Sequence, residues 1–283
     1  MSDLGPSVIA LLALAALAAG FVDAVVGGGG LIQLPALLLG LPGASPVQVL
    51  ATNKIASVCG TAASSATYYR RLRPDPRTFG PLMLLALAGA FGGALLAHLL
   101  PRAAFEPIVL VALVAVGAYV LLRPELGGET ALRFEGHRHL VAAMVVGFVI
   151  GLYDGILGPG TGSFFVFALV GLMGYDFLQA SAKAKLANLA TNVGALLLFI
   201  PTGAVLWDIG LLMGACNLLG GYLGGGAGER RDPGYPGAGL LARGALYGRP
   251  PRDSGNRPEA RQPQSRFLQL HRLEDGACRA DRA

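Results

Sequence analysis

Charge is scarce in this chain. Only 14% of its 283 residues are Asp, Glu, Lys or Arg, where a soluble domain carries about a quarter. Lysine is scarcest, at Lys54, Lys183 and Lys185 alone. The three cysteines (Cys59, Cys216, Cys278) stand far apart without a CxxC pair, which argues against both a disulfide framework and a thiolate metal site. The four histidines (His98, His137, His139, His271) show no metal-ligand spacing either, and His137 and His139 read as flanking a helix in a polar loop. There is no Walker A lysine, no HExxH and no Ser/His/Asp grouping, and GxGxxG matches among 42 glycines carry no weight without a strand before them. The expectation is a protein that is not an enzyme, has no cofactor and is not a nucleotide-driven pump.

What the chain has instead is apolar length. Mean hydropathy is +0.57. Apolar blocks at 6–26, 78–100, 103–122, 139–157 and 205–224 approach the ~20 residues that a bilayer requires. The segments 46–69 and 177–200 are more polar but long enough to span. The fold class is therefore an all-α integral membrane protein. Residues 1–22 resemble a signal peptide in their small residues, but the start carries Asp3 and no Lys or Arg, so they read as a transmembrane helix.

The chain also repeats itself. Shifted by 131 residues, "GFVDAVVGGGG" (20–30) falls on "GLYDGILGPGT" (151–161), and "ATNKIAS" (51–57) meets "AKAKLAN" (182–188). Between Gly20 and Ala56, 12 of 37 positions are identical, about three times what composition yields, as a tandem duplication would leave. The pairs Gly92–Gly93 and Gly220–Gly221 match at a shift of 128, which predicts a loop three residues shorter in the second unit. Each unit reads as a helix, a glycine break, a short apolar piece, a second helix and a helix with a Gly-Gly face suited to close packing. Unit one adds a fourth helix at 103–122. Expected boundaries are repeat 1 over 6–123, a cytoplasmic linker at 124–138, an incomplete repeat 2 over 139–224 and a tail from 225 to 283.

Arginines orient the chain. "YYRRLRPDPR" (68–77) and the 123–138 loop, with Arg123, Arg133 and Arg138, should both be cytoplasmic. That agreement predicts a cytoplasmic N-terminus and four crossings in unit one. A re-entrant 31–40 would change the parity, and with it the choice between parallel and inverted repeats.

The tail leaves the pattern. Residues 225–283 hold 11 of the 19 arginines and six prolines, with no apolar run beyond three residues. The last helix that the repeat predicts, at about 231–251, is missing. Such a composition is what GC-rich DNA yields in the wrong frame, so a frameshift near 225–229 is favoured over a disordered cytoplasmic tail touching anionic lipid.

Broken helices survive in lipid where they line a cavity, and a broken pair in two repeats marks a transporter's substrate site. Gly27, Gly28, Gly29 and Gly30 form one break, and Gly158, Pro159, Gly160, Thr161 and Gly162 the other. Freed N–H groups at the start of each following half-helix favour an anion. Lys54 and Lys185 occupy equivalent positions, as do Asp23 and Asp154. Two readings stand side by side: an Asp–Lys ion pair within each repeat that serves assembly, or lysines that meet an anionic substrate while the carboxylates orient them or carry protons. Lys183 is a candidate extra positive charge on the same site. Asn53, Ser57, Asn188 and Asn192 offer neutral donors.

Together, "GFVDAVVGGGGLIQLPALLLG" (20–40), "ATNKIASV" (51–58) and "GLYDGILGPGTGSFF" (151–165) resemble the TauE/SafE family of bacterial membrane proteins, over roughly residues 6–224. The resemblance implies a two-repeat transporter of seven or eight helices, a small sulfur-containing anion such as sulfite or a sulfonate as substrate, and no soluble cofactor. The expected protein is a multi-pass secondary exporter in the bacterial inner membrane. Its partners would be the small anion and the lipid bilayer, not nucleic acid; homo-oligomerisation is compatible with this. The rivals are a passive anion channel and a transport-inactive, truncated membrane protein.

Overall fold

The computed structural model describes residues 4–99, 101–122 and 130–229, all within the first of the chain's two units, Met1–Leu246. These residues form helices α1 (Pro6–Val26), α2 (Gly30–Gly40), α3 (Pro46–Leu72), α4 (Pro76–Ala97), α5 (Arg102–Leu122), α6 (Gly136–Ile156), α7 (Thr161–Phe167, continued by a π turn Ala168–Leu172), α8 (Phe177–Phe199) and α9 (Trp207–Glu229). There is no strand among them. The protein is an all-α membrane protein. By length and composition, three described helices suit a membrane crossing: Pro6–Val25, Pro76–Ala97 and Gly136–Ile156.

Local chemistry sets the boundaries. Ser45 caps α3 reciprocally with Gln48: the Ser45 Oγ accepts from the Gln48 N–H at 3.3 Å, and Gln48 Oε1 accepts from the Ser45 N–H at 2.9 Å. Asp75 caps α4 by accepting from the Arg77 N–H at 3.0 Å, and Asp176 caps α8 by accepting from the Gln179 N–H at 2.9 Å. Prolines 46 and 76 follow their caps, where the missing N–H costs nothing. Gly27 and Gly158 stop the first helices. Both have φ +88°, a left-handed conformation that side-chain-bearing residues rarely adopt.

The α1–α2 pair is a hairpin. Gly40, at the end of α2, lies against Val8 and Leu12 near the start of α1. The 31–40 segment therefore returns to the face from which α1 set out. At the other hairpin, the Ala131 N–H donates to the Gly174 carbonyl at 2.8 Å, so α7 likewise ends beside the approach to α6.

Helix directions follow from matched contacts. Along α1 and α9, the Asn217 Nδ2 donates to the Ala16 carbonyl at 3.0 Å, then Leu17 faces Gly220 and Phe21 faces Gly224, so the two helices run parallel. Along α3 and α9, Thr52 accepts from the Leu206 N–H at 3.2 Å, Cys59 faces Gly214 and Thr67 faces Gly225, again parallel. α4 turns back on α3 after only 73–75, and α6 runs parallel to α4, with Leu82 against Gly147, Gly89 against Phe148 and Gly93 against Leu152. Hence α1 and α6 point in opposite directions, and the two halves are inverted.

Two expectations change here. The glycines of α4 and α9 do not correspond at 128. Gly89 and Gly93 meet Phe148 and Leu152, while Gly220 and Gly224 meet Leu17 and Phe21, so contacts correspond at 131 and no loop is shortened. The N-terminus also changes side. With α1–α2 returning to its own face, the arginine loop at 73–75 and the approach to α6 share one face and the N-terminal end lies on the other. If the arginine side is cytoplasmic, the start of the chain is not.

Each α4-type helix packs on helices of the other half through small residues. A Cβ on Gly151 would stand 2.9 Å from the Ala86 Cα, and one on Gly220 would stand 2.9 Å from the Phe21 nitrogen. Such close approach lets backbones gain dispersion contacts that lipid cannot supply. Two apolar clusters fill the rest, one around Leu12, Leu37, Leu50, Phe105 and Phe199, the other around Leu82, Phe165, Leu169 and Met173. Outward faces carry exposed Leu84, Leu95, Val145, Val149, Leu211, Leu219 and Leu223, an apolar belt that suits lipid. α9 continues to Glu229, five residues past the expected end of the second repeat at 224. The counterpart of α5 would fall on 233–253, and this region, with the frameshift and tail assignments beyond Glu229, lies outside the described residues.

Candidate functional site

The two breaks meet. The Ser163 N–H donates to the Gly27 carbonyl at 2.7 Å, and Ser163 Oγ donates to the same oxygen at 3.1 Å. Gly30 faces Gly158 and Pro159 across the junction. A Cβ on Gly27 would stand 2.8 Å from the Gly162 backbone, so bare backbone is needed on both sides.

Beside this junction is a small polar cavity. Of the residues expected to bind substrate, Asp23, Gly27, Gly29, Gly30, Asn53, Lys54, Asp154, Gly158, Gly160, Thr161 and Asn188 line it. Gly28 and Lys185 do not. Gly28 packs against Leu31, and Lys185 contacts Asp23, which does line the cavity. Ser57, Asn192 and Gly162 of the second break are lining residues, joined by Gln33, Thr61 and Asn217, which sequence reasoning missed. Gln33 is the lone polar residue inside "GLIQLPALLLG", a signal that could have marked it. Asn217, between cysteine and leucine in α9, offered less.

The charges pair across the halves. Lys54 Nζ meets Asp154 Oδ2 at 2.5 Å, with both side chains 1% exposed. Lys185 Nζ stands 3.6 Å from Asp23 Oδ2 and also donates to the Asp23 backbone carbonyl. The expectation of an ion pair within each repeat is thus corrected. Inversion places each lysine, about two turns into its helix, beside the other half's break. A buried pair repays its desolvation only with good geometry and further hydrogen bonds. Asp154 has them: its Oδ1 accepts from Thr161 Oγ1 at 2.6 Å. Asp23 Oδ1 accepts the Gly29 N–H at 3.3 Å, which ties the carboxylate to the break.

Lys183 is not part of this cavity. Two residues along a helix is about 200° of rotation, which carries Lys183 away from the direction of Lys185. Its ammonium lies 4.4 Å from the centre of the Tyr175 ring and 3.4 Å from Gln179 Oε1. Tyr175 in turn shares a 2.6 Å hydrogen bond with His139 Nε2.

Neutral amides complete the wall. Gln33 Oε1 accepts from Ser57 Oγ at 3.0 Å, and Asn192 Nδ2 donates to Thr61 Oγ1 at 3.4 Å. Among the described residues, Gln33 Nε2 and Asn53 Oδ1 have no hydrogen-bond partner, although both side chains are buried.

Comparison with known proteins shows the family. The family model described as sulfite exporter TauE/SafE matches residues 12–235, past the point where the repeat pattern fades. A probable membrane transporter protein, ORF9, from a Sinorhizobium species is 40% identical over 228 residues, covering 79% of this chain and 84% of its own. The probable membrane transporter protein YfcA of Escherichia coli K12 is 37% identical over 226 residues, covering 80% and 81%. A probable membrane transporter protein of Haemophilus influenzae is 35% identical over 223 residues, covering 78% and 86%. No solved structure matches. With its paired breaks, its buried lysines and a family match over most of its length, this chain belongs to the sulfite exporter TauE/SafE family of membrane transporters.

Proposed function

We propose that this transporter is a secondary exporter of small sulfur-containing anions, sulfite or organosulfonates, working as a multi-pass protein of the bacterial inner membrane. The observation that carries this reading is the junction of two glycine-broken helices, entering from opposite faces, beside buried Lys54 and Asp154. Inverted halves whose broken helices meet at a polar site are the architecture of alternating access. The family's name, sulfite exporter, supplies the anion class. The four buried charges of Asp23, Lys54, Asp154 and Lys185 sum to zero. An entering anion must therefore take a lysine from its carboxylate or bring a proton, which offers a route to coupling. The binding residues in this reading are the cavity-lining set with Lys54 at its centre, and Lys185 acts behind Asp23.

Reconstituting the full chain in proteoliposomes and following sulfite, a taurine-like sulfonate and sulfoacetate tests this. The expected result is saturable flux of at least one of them, driven uphill by an imposed ion or proton gradient. Flux that only ever runs downhill assigns a channel, and absence of all flux sinks the transport reading for this chain.

A further inference from the structure

Gln33 sits in the first turn of α2 and is 0% exposed. Its carbonyl end is occupied by the Ser57 hydroxyl at 3.0 Å, which leaves the amide NH2 facing a cavity that it lines, without a partner among the described residues. Asn53, one residue before Lys54, is 2% exposed and lines the same cavity. There it is the acceptor, Oδ1, that has no partner. Unpaired buried polar groups are costly, and native proteins keep few of them. Asp23 Oδ2 also lacks a hydrogen bond, but it has Lys185 at 3.6 Å. The Gln33 donor and the Asn53 acceptor, with no such partner, describe the complement of a ligand with both an oxygen to accept and a hydrogen to give.

The repeat sharpens this. At the 131 offset, Gln33 corresponds to Phe164 and Asn53 to Ala184, and Phe164 packs edge-on against Tyr153 with ring centres 5.1 Å apart. The duplicated halves share the glycines and the charges but not these two amides. Assembly of the symmetric core therefore does not require them, whereas a ligand lying off the pseudo-two-fold axis would use them.

We infer that Gln33 and Asn53 are the specificity-determining residues of the site, with the Gln33 amide donating to an anion oxygen and the Asn53 carbonyl accepting a hydroxyl hydrogen carried by the anion. The preferred ligand is a monoanionic oxyacid that retains one O–H, beside a lysine already neutralised by Asp154. A dianion would add twice the uncompensated charge, and a methyl group in place of the hydroxyl would leave Asn53 Oδ1 unpaired. The inference rests on the anion-transport reading above.

The test compares hydrogen sulfite, under mildly acidic conditions, with methanesulfonate, which has the same charge and three oxygens but a methyl on its sulfur and no O–H. The full-length protein in proteoliposomes should reach half-maximal flux at a hydrogen sulfite concentration lower by about tenfold or more, the worth of a hydrogen bond to a buried group. Asn53→Leu should erase that preference by raising the half-saturating concentration of hydrogen sulfite to that of methanesulfonate. Gln33→Met should raise the half-saturating concentration of both anions by a similar factor, and Gln33→Glu should stop both, because the open donor becomes an acceptor. Equal handling of the two anions by the unaltered protein overturns the inference while leaving anion transport standing, and it requires no variant to fold. A preference that survives in Asn53→Leu, or Gln33→Glu transporting normally, overturns it as well. If neither anion moves, the inference falls, and the transport reading falls with it only if the taurine-like sulfonate and sulfoacetate also fail to move.

Discussion

The Lys54–Asp154 and Lys185–Asp23 pairs are built from the same letters at the same offset, yet they are not alike. In the first, the ammonium closes on the carboxylate at 2.5 Å and Thr161 supplies a hydroxyl to the other carboxylate oxygen at 2.6 Å. In the second, the nearest carboxylate contact is 3.6 Å, and the lysine donates to a backbone carbonyl instead. The counterpart of Thr161 is Gly30, which has no hydroxyl to give, so Asp23 turns toward the Gly29 N–H. Lys54 faces the cavity and Lys185 does not. Sequence equivalence thus conceals a division of labour: one pair is presented to the ligand, while the other holds a break against its neighbouring helix.

The strongest way to break this comparison is Lys54→Met. It strands the Asp154 charge in the interior, for which about 3–5 kcal/mol of lost stability is expected, together with loss of flux. Thermal unfolding in detergent and proteoliposome transport would measure the two. Adding Asp154→Asn should restore most of the stability but none of the transport. Lys185→Met comes next. Asp23 keeps its bond from Gly29 and some exposure, so the expected cost is smaller, about 1–3 kcal/mol. Equal destabilisation by the two lysine changes would show that the pairs are energetically equivalent despite their geometry. The mildest change is Thr161→Val, which removes the hydroxyl that distinguishes them. About 1 kcal/mol should be lost, with the half-saturating anion concentration shifted and insertion unaffected. A silent Thr161→Val would assign the asymmetry to something other than this hydroxyl.

Much of this arrangement was legible in the letters. Glycines that recur with an Asp before them and a Lys beyond them resist a packing-only explanation, and Gly27 and Gly158 do adopt one unusual conformation. Which copy pairs with which was not legible, because an offset is silent about orientation. Inversion depends on whether an 11-residue apolar piece crosses or returns, and periodicity reads the same in both cases. Lys183 misled for a simpler reason: nearness along a helix is not nearness in space. Gln33 and Asn217 were overlooked because a search for symmetry passes over residues whose counterparts are Phe164 and Ala86. The two Gly-Gly pairs drew attention to a 128 offset, whereas the glycines in contact with the opposite half sit four residues apart.

The parallel packing of α1 on α9 has a consequence for how the chain is made. Asn217 hydrogen-bonds to Ala16 across 201 residues of sequence. During synthesis α1 must therefore wait for α9 before its small-residue face is covered. Loop closure over such a separation is slow and leaves intermediates exposed. Until α9 is made, α1 presents an unfinished surface in the membrane, and neither half can complete its own interior without the other.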